Sequence, residues 1–333
     1  MRFMINVVNL LTMFDEFENI YPQKPDFATI PKKDRLKKNL FVMVLIGALL
    51  LLNFQESGVM LLSLFFVILI HELGHFIGMK FFGFKDSKIM YFPMLSNLIE
   101  QKKEFISQKQ RLITLLFGPL PGIIIGTFLL QYFISQPEND LILNLATLFL
   151  GVNLVSLVPL DPLDGGKIIQ TMFFQKKPKF NMYFVLTSSI LWIGIGFYFE
   201  VYILMIFGFM MGLKVRSIQK NLAIHDELTD QKVDYQKTYK TLTNREYWKI
   251  RSVFLDNNPK IKSMIPSGDD LWDNERLLIE QISQILKIKI KPDSSFVFNL
   301  IILILIGVSV YFPVQMMIEN WDVFAKYIEK NNV

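Results

Sequence analysis

The chain has 333 residues, 52% of them hydrophobic, with a mean hydropathy of +0.35, values that exclude an ordinary soluble enzyme. Its net charge of +5 is carried by basic residues beside apolar runs, as in Lys32-Lys33-Asp34-Arg35-Leu36-Lys37-Lys38. That placement reports membrane orientation and argues against a nucleic-acid partner. Cysteine is absent, so disulfides and thiolate-held metals are excluded and any metal must take histidine and carboxylate ligands.

In chain order, the first twenty residues contain a short apolar stretch, but Asp15, Glu16 and Glu18 follow it without a small-residue cleavage pattern, and no signal peptide is expected. Apolar runs near 40–54, 58–79, 113–134, 141–160, 182–199, 201–213 and 295–317 predict about seven membrane spans. Only Glu200 separates the fifth run from the sixth. Lys176, Lys177 and Lys179 precede this pair and Lys214, Arg216 and Lys220 follow it, so both ends belong on the positive side and the pair should form a hairpin. The same rule places the N-terminal cluster, the 80–112 loop and the 214–294 segment in the cytoplasm, with 55–57 and 135–140 facing outward. The expected division is a cytoplasmic N-terminal segment (1–39), a transmembrane core (40–213), a helical cytoplasmic module (214–294) and a final span with its tail (295–333).

The second run contains His71-Glu72-Leu73-Gly74-His75. Histidines at i and i+4 share one face of a helix and can reach one zinc ion, and Glu72 between them can polarise a metal-bound water. Ionisable groups at membrane depth are costly and mark function by default. His71 precedes Lys80 by nine residues, which puts the metal about 13 Å inside the cytoplasmic boundary. Water must reach that depth through a cavity enclosed by protein.

Between this run and the third, Lys88-Ile89-Met90-Tyr91-Phe92-Pro93-Met94-Leu95 is apolar but too short to cross. It reads either as a re-entrant, strand-like element or as an interfacial loop. Pro159-Leu160-Asp161-Pro162-Leu163-Asp164-Gly165-Gly166 ends the fourth run, and its prolines and glycines terminate the helix. Irregular backbone survives at such depth only where protein or water satisfies it. Both motifs end spans that run toward the cytoplasm, so the topology brings Asp164 to the side and depth of His71 and His75.

HELGHFIGMKFFGFK, PLDPLDGGK and Gly118-Pro119-Leu120-Pro121-Gly122 between them resemble the HExxH, LDG and GP elements of the site-2 protease family of intramembrane zinc metalloproteases. The resemblance covers roughly residues 58–170. It implies one zinc held by His71, His75 and Asp164, Glu72 as general base and acid, and a membrane-spanning segment as substrate. It also suggests that the 88–95 element pairs with an unwound substrate by strand addition. Where the family's LDG segment often carries Asn, the aligned prolines put Ser156, and Asn153 lies one turn earlier. Either could hydrogen-bond a metal ligand or a substrate carbonyl, or serve as a helix-packing contact. Asp161 is expected to point away from the metal, since Pro159 and Pro162 disfavour a helix that would align it with Asp164. Gly165 and Gly166 are expected to allow a tight turn and close approach to the metal-bearing helix.

Other metal sites fit less well. The metzincin pattern needs a third histidine where Phe81 stands, Glu100 and Glu104 sit in a charged stretch that reads as a solvated loop, and His225 beside Asp226 and Glu227 is expected to be exposed. In 214–294, Thr243-Asn244-Arg245-Glu246 reads as a capping box, and Leu271, Leu278, Ile282 and Ile285 share a helix face. The tail after Met317 mixes charges without a motif. The chain is thus read as an all-α polytopic membrane protein, with partners expected in the lipid bilayer and a transmembrane substrate and none in nucleic acid. The expected function is regulated intramembrane proteolysis from the cell (inner) membrane, with the site toward the cytoplasm. The alternatives are a catalytically silent homologue acting as regulator or escort, and a metal transporter. Transport is disfavoured because no second ligand cluster lies on the outward side.

Overall fold

The computed structural model describes residues 21–25, 58–83, 105–137, 139–174, 177–265, 275–286 and 289–331. The chain forms two compact units, Lys32–Gly212 with Ile290–Val333, and Met1–Pro31 with Leu213–Lys289. The expected 40–54 span, the 88–95 element, Glu100, Glu104 and Leu271 lie outside the described residues.

The first unit is built from membrane-length helices. α1, Gly58–Phe81, is about 36 Å long, enough to cross a bilayer core. It buries only Val67, His71, Gly74 and Gly78, a narrow stripe at helical spacing. Phe66 and Ile77 stay exposed on its other faces, as suits a helix in lipid. β1, Phe105–Ser107, leads into α2, Gln108–Phe117, whose first turn is capped by Ser107 accepting from the Gln110 amide. This helix begins five residues before the apolar run at 113, because the cap and the buried Gln108, which donates to the Thr171 carbonyl at 2.8 Å, carry it through a polar turn. Gly118 separates it from α3, Pro119–Ser135. α4, Asp140–Ser156, is capped by Asn139. It packs antiparallel to α3, Gly126 lying against Leu150 and Gly122 against Asn153.

After a turn at 157–163 come α5, Asp164–Ile169, and a wide helical turn, Gln170–Phe174. α6, Pro178–Tyr198, and α7, Tyr202–Asp230, form the expected hairpin, with the Ser189 hydroxyl donating to the Gly208 carbonyl at 2.7 Å. Glu200 adopts φ 57° at the end of α6, where the Val201 amide bonds to the Gly196 carbonyl and the Glu200 amide to Phe197. Those two bonds satisfy the helix's last carbonyls and turn the chain back. α7 continues well past residue 213 into a polar half.

Five described helical stretches are long and apolar enough to cross a membrane: α1, α2–α3, α6, α7 and a later helix, Phe296–Glu319. α4, with 17 residues, spans about 26 Å and is shorter. The chain is therefore a largely helical integral membrane protein. Among the described residues, β1 pairs with a second three-residue strand, β2, Lys289–Lys291. Asp293 ties this region together by accepting from the Ser107 hydroxyl and the Lys109 amide. Burial opposes its charge, but these bonds hold its carboxyl below the usual range.

In the second unit α8, Asn244–Asp256, opens on the expected capping box, the Thr243 hydroxyl accepting from the Glu246 amide and the Glu246 carboxylate from the Thr243 amide. A short α9, Pro259–Lys262, follows. α10, Glu275–Ile285, buries Leu278, Ile282 and Ile285 against Ile224, Leu228, Tyr247 and Ile250. His225 is buried here, not exposed: its Nε2–H donates to the Ile285 carbonyl at 2.7 Å and its ring stacks on Tyr235. It sits on the α7 face that carries Ile224 and Leu228, so its charged neighbours in sequence point elsewhere. The first unit closes with α11, Phe296–Glu319, and α12, Trp321–Asn331. The tail is thus a helix, and Phe324 stacks on Phe133 while the Tyr327 hydroxyl donates to Asp140 at 2.6 Å.

A buried ion pair organises the second unit. Arg251 grips Glu275 through two bonds, 2.8 and 3.1 Å, and the Tyr247 hydroxyl donates to the same carboxylate at 2.6 Å. Burial and that carboxylate push the Tyr247 hydroxyl far up from its ordinary pKa, keeping it a donor. Arg251→Met strands a buried carboxylate and is expected to cost about 3–5 kcal/mol, most of it recovered by adding Glu275→Leu. Thermal unfolding followed by circular dichroism in detergent checks this; equal stability of the single variant and the parent would show that the pair contributes little.

Candidate metal centre

His71 and His75 lie one turn apart on α1, with ring centroids 4.8 Å apart. Each ring is fixed from behind. The His71 Nδ1–H donates to Asn153 Oδ1 at 2.8 Å, and the Asn153 amide is oriented by its own Nδ2 donating to the Phe149 carbonyl at 2.8 Å. The His75 Nδ1–H donates to the Thr114 carbonyl at 2.9 Å, one of the four carbonyls that the end of α2 leaves without an intrahelical partner. With both Nδ1 atoms committed to these acceptors, the two Nε2 atoms face forward.

Asp164 meets them. Its Oδ2 lies 3.0 Å from His71 Nε2 and 3.2 Å from His75 Nε2, and the two nitrogens are 3.2 Å apart. Three acceptor atoms this close repel unless a cation or shared protons sit among them. A tetrahedral ion with ligands at about 2.0–2.1 Å would separate neighbouring ligand atoms by about 3.3 Å. The donor set therefore fits a divalent metal, and the His71, His75 and Asp164 group can hold one. Three protein ligands leave a tetrahedral ion one open position, as catalytic sites require. The other oxygen of Asp164 is engaged by Lys167 Nζ at 3.4 Å. Glu72, half-buried and one residue on from His71, lies within electrostatic range of His75, His71, Asp164 and Lys167.

Glycines make this convergence possible. A Cβ on Gly118 would fall 2.3 Å from the His75 ring, and one on Gly122 would fall 2.0 Å from Asn153 Nδ2. The Gly-Pro-Leu-Pro-Gly segment thus clears space for one imidazole and for the side chain that orients the other. Gly165 and Gly166 act differently from expectation. They begin a helix and not a tight turn, and their Cβ positions would strike the Leu157 and Leu160 carbonyls, so the close approach is to the preceding turn and not to α1.

Asp161 points away from the metal group. Gln170 Nε2 donates to its Oδ1 at 2.6 Å, its amide donates to the Ser188 hydroxyl, and Trp192 Nε1 donates to its carbonyl. It fastens the 157–163 turn to α6. Of the two polar residues left open by sequence, Asn153 reaches the site. The Ser156 hydroxyl donates to the Asn153 carbonyl. Lys167 and the Thr114 carbonyl were not singled out by sequence: the first looks like any cation after a helix start, and the second is main chain.

Asn153→Ala is expected to weaken divalent-metal binding about 10–100-fold, with Asn153→Asp retaining most of it, because the oxygen facing His71 is kept. Competition with a chromogenic chelator on purified protein measures this. Equal affinity of the alanine variant and the parent would mean that His71 needs no such partner.

No protein-family model matches the chain, and no solved structure matches it. Among curated proteins, it is 33% identical over 141 residues to a zinc metalloprotease of Methanocaldococcus jannaschii, covering 41% of each chain. It is 30% identical over 133 residues to stage IV sporulation protein FB of Bacillus subtilis, covering 37% of this chain and 44% of that one. The chain thus spans less than half the length of these curated relatives. The likeness to a zinc metalloprotease supports the resemblance to the site-2 protease family that the motifs carry.

Proposed function

We propose that the chain is an intramembrane zinc metalloprotease that hydrolyses a peptide bond within or beside a transmembrane segment of a protein substrate. The observation that carries this reading is the convergence of His71, His75 and Asp164, with Glu72 beside them, in a chain whose α1 is long and apolar enough to cross a membrane. Zinc held by His71 Nε2, His75 Nε2 and Asp164 Oδ2 would supply Lewis acidity and lower the pKa of water at the open position. The residues do the rest. Glu72 takes the proton of the attacking water as its oxygen bonds to the scissile carbonyl carbon, and passes that proton to the nitrogen as the C–N bond breaks. Asn153 and the Thr114 carbonyl keep both imidazoles aimed, and Lys167 engages the Asp164 oxygen that faces away from them.

By the distribution of Lys and Arg, the metal-bearing end of α1 faces the cytoplasm of a cell (inner) membrane. A helical substrate hides its carbonyls in hydrogen bonds, so it must unwind locally before attack, which favours substrates with helix-breaking residues. The reaction then belongs to regulated intramembrane proteolysis.

Two experiments test the reading. Glu72→Gln is expected to keep zinc and lose turnover by several orders of magnitude, so that membrane proteins cut in cells with the parent accumulate uncut with the variant. If no membrane protein's cleavage differs while both forms restore the same cellular function, the chain is a silent regulator. Asp164→Asn is expected to lose most bound zinc with the protein still inserted, and Asp161→Asn to keep it. Metal analysis of the purified variants decides, and the opposite pattern would reassign the third ligand.

A further inference from the structure

The second unit carries a built recognition site that proteolysis does not use. Lys24 is separated from the residues it meets by about 220 positions, so its contacts are not a consequence of local chain geometry. Its ammonium donates to the carbonyls of Tyr239, Lys240 and Leu242 at 3.0, 3.1 and 2.5 Å. Three N–H groups meet three acceptors, which uses the full donor capacity of a lysine. Those carbonyls end a short helical turn, Tyr239–Thr241, where helix geometry leaves acceptors short of partners and favours a cation. The ammonium also lies 5.5 Å from the Tyr239 ring centroid.

The main chain around Lys24 is read as well. Its amide donates to Asn244 Oδ1 at 3.0 Å, Trp248 Nε1 donates to the Pro22 carbonyl at 2.7 Å, and the Tyr239 hydroxyl donates to the Pro25 carbonyl at 2.7 Å. Pro22 and Pro25 have no amide hydrogen to leave unsatisfied and favour an extended chain. Tyr21 packs on the module's apolar core. One side-chain pocket plus three main-chain bonds to an extended segment is how proteins bind peptides.

We infer that the Tyr239–Trp248 face is a peptide-binding site selective for an extended lysine segment flanked by prolines, and that Tyr21–Pro25 of this same chain is its resident ligand. The site acts as a latch, holding the N-terminal segment to the module. A trans peptide of the same chemistry enters only when the resident one is out.

The full-length chain in detergent tests this. Hydrogen exchange is expected to show the Lys24 amide slowed at least about tenfold against an unstructured chain. Exchange at the unstructured rate would overturn the latch. A fluorescent peptide of residues 18–28 is expected to bind the Lys24→Glu chain at least about tenfold more tightly than the parent, whose site is filled. The same peptide carrying Lys24→Ala or Lys24→Arg should bind the variant chain poorly, since a planar guanidinium cannot direct three bonds to those carbonyls. No binding to the Lys24→Glu chain, with its helical content unchanged, overturns the proposal, as does equal binding to both chains. None of these readouts involves metal or cleavage, so failure of the latch and failure of the protease reading are separate results.

Discussion

A carboxylate oxygen lies within 3.2 Å of two imidazole nitrogens that belong to a helix about 90 positions away, and this convergence governs the architecture around it. Packed helices keep their axes about 8–10 Å apart, so ligands on facing helices meet only where backbones come closer or an irregular segment intervenes. Here both occur. Gly118 interrupts the α2–α3 stretch where the His75 ring needs its space, and the 157–163 turn delivers Asp164 at the first residue of a new helix. Neither device is tolerable in lipid without partners for the freed backbone groups. The Thr114 carbonyl finds one in His75, and Trp192 and Ser188 serve the backbone of Asp161.

The two aspartates of the PLDPLDGG segment show how one short motif divides labour. Asp164 turns one oxygen to the imidazoles and the other to Lys167. Asp161, three residues earlier, is at least as buried but bonds to Gln170 and anchors the turn to α6. A carboxylate this deep is costly unless hydrogen-bonded. Its backbone partners Ser188 and Trp192 lie on α6, so the position of Asp164 depends on that helix.

What was legible in the sequence follows from periodicity and spacing. The HELGH pair could be placed because i and i+4 fix a shared face whatever surrounds the helix, and the α6–α7 hairpin because charge at both ends leaves one topology. The Thr243–Glu246 box was legible for the same reason: its bonds are local. Choosing Asn153 over Ser156 was not possible, because the two are three residues apart on one helix and only the α3–α4 packing through Gly122 decides which side chain meets His71. His225 was misjudged because its sequence neighbours are charged, while burial depends on the helix face and on α10, which lies 60 positions away. The apolar run at 113 hid the polar first turn of α2, and the mixed charges after Met317 hid an amphipathic helix that packs through Phe324.

Glu72 gives the site its asymmetry. One residue beyond His71, it leaves α1 about 100° around the helix from it, so it stands on a face adjacent to the one the histidines share. A half-buried carboxylate there is disfavoured unless nearby positive charge compensates it, and the groups in its field are two imidazoles, Asp164 and Lys167. A cation among the three ligand atoms would add to that compensation. The acid at position 72 is thus the residue on which the proposed hydrolysis rests most directly.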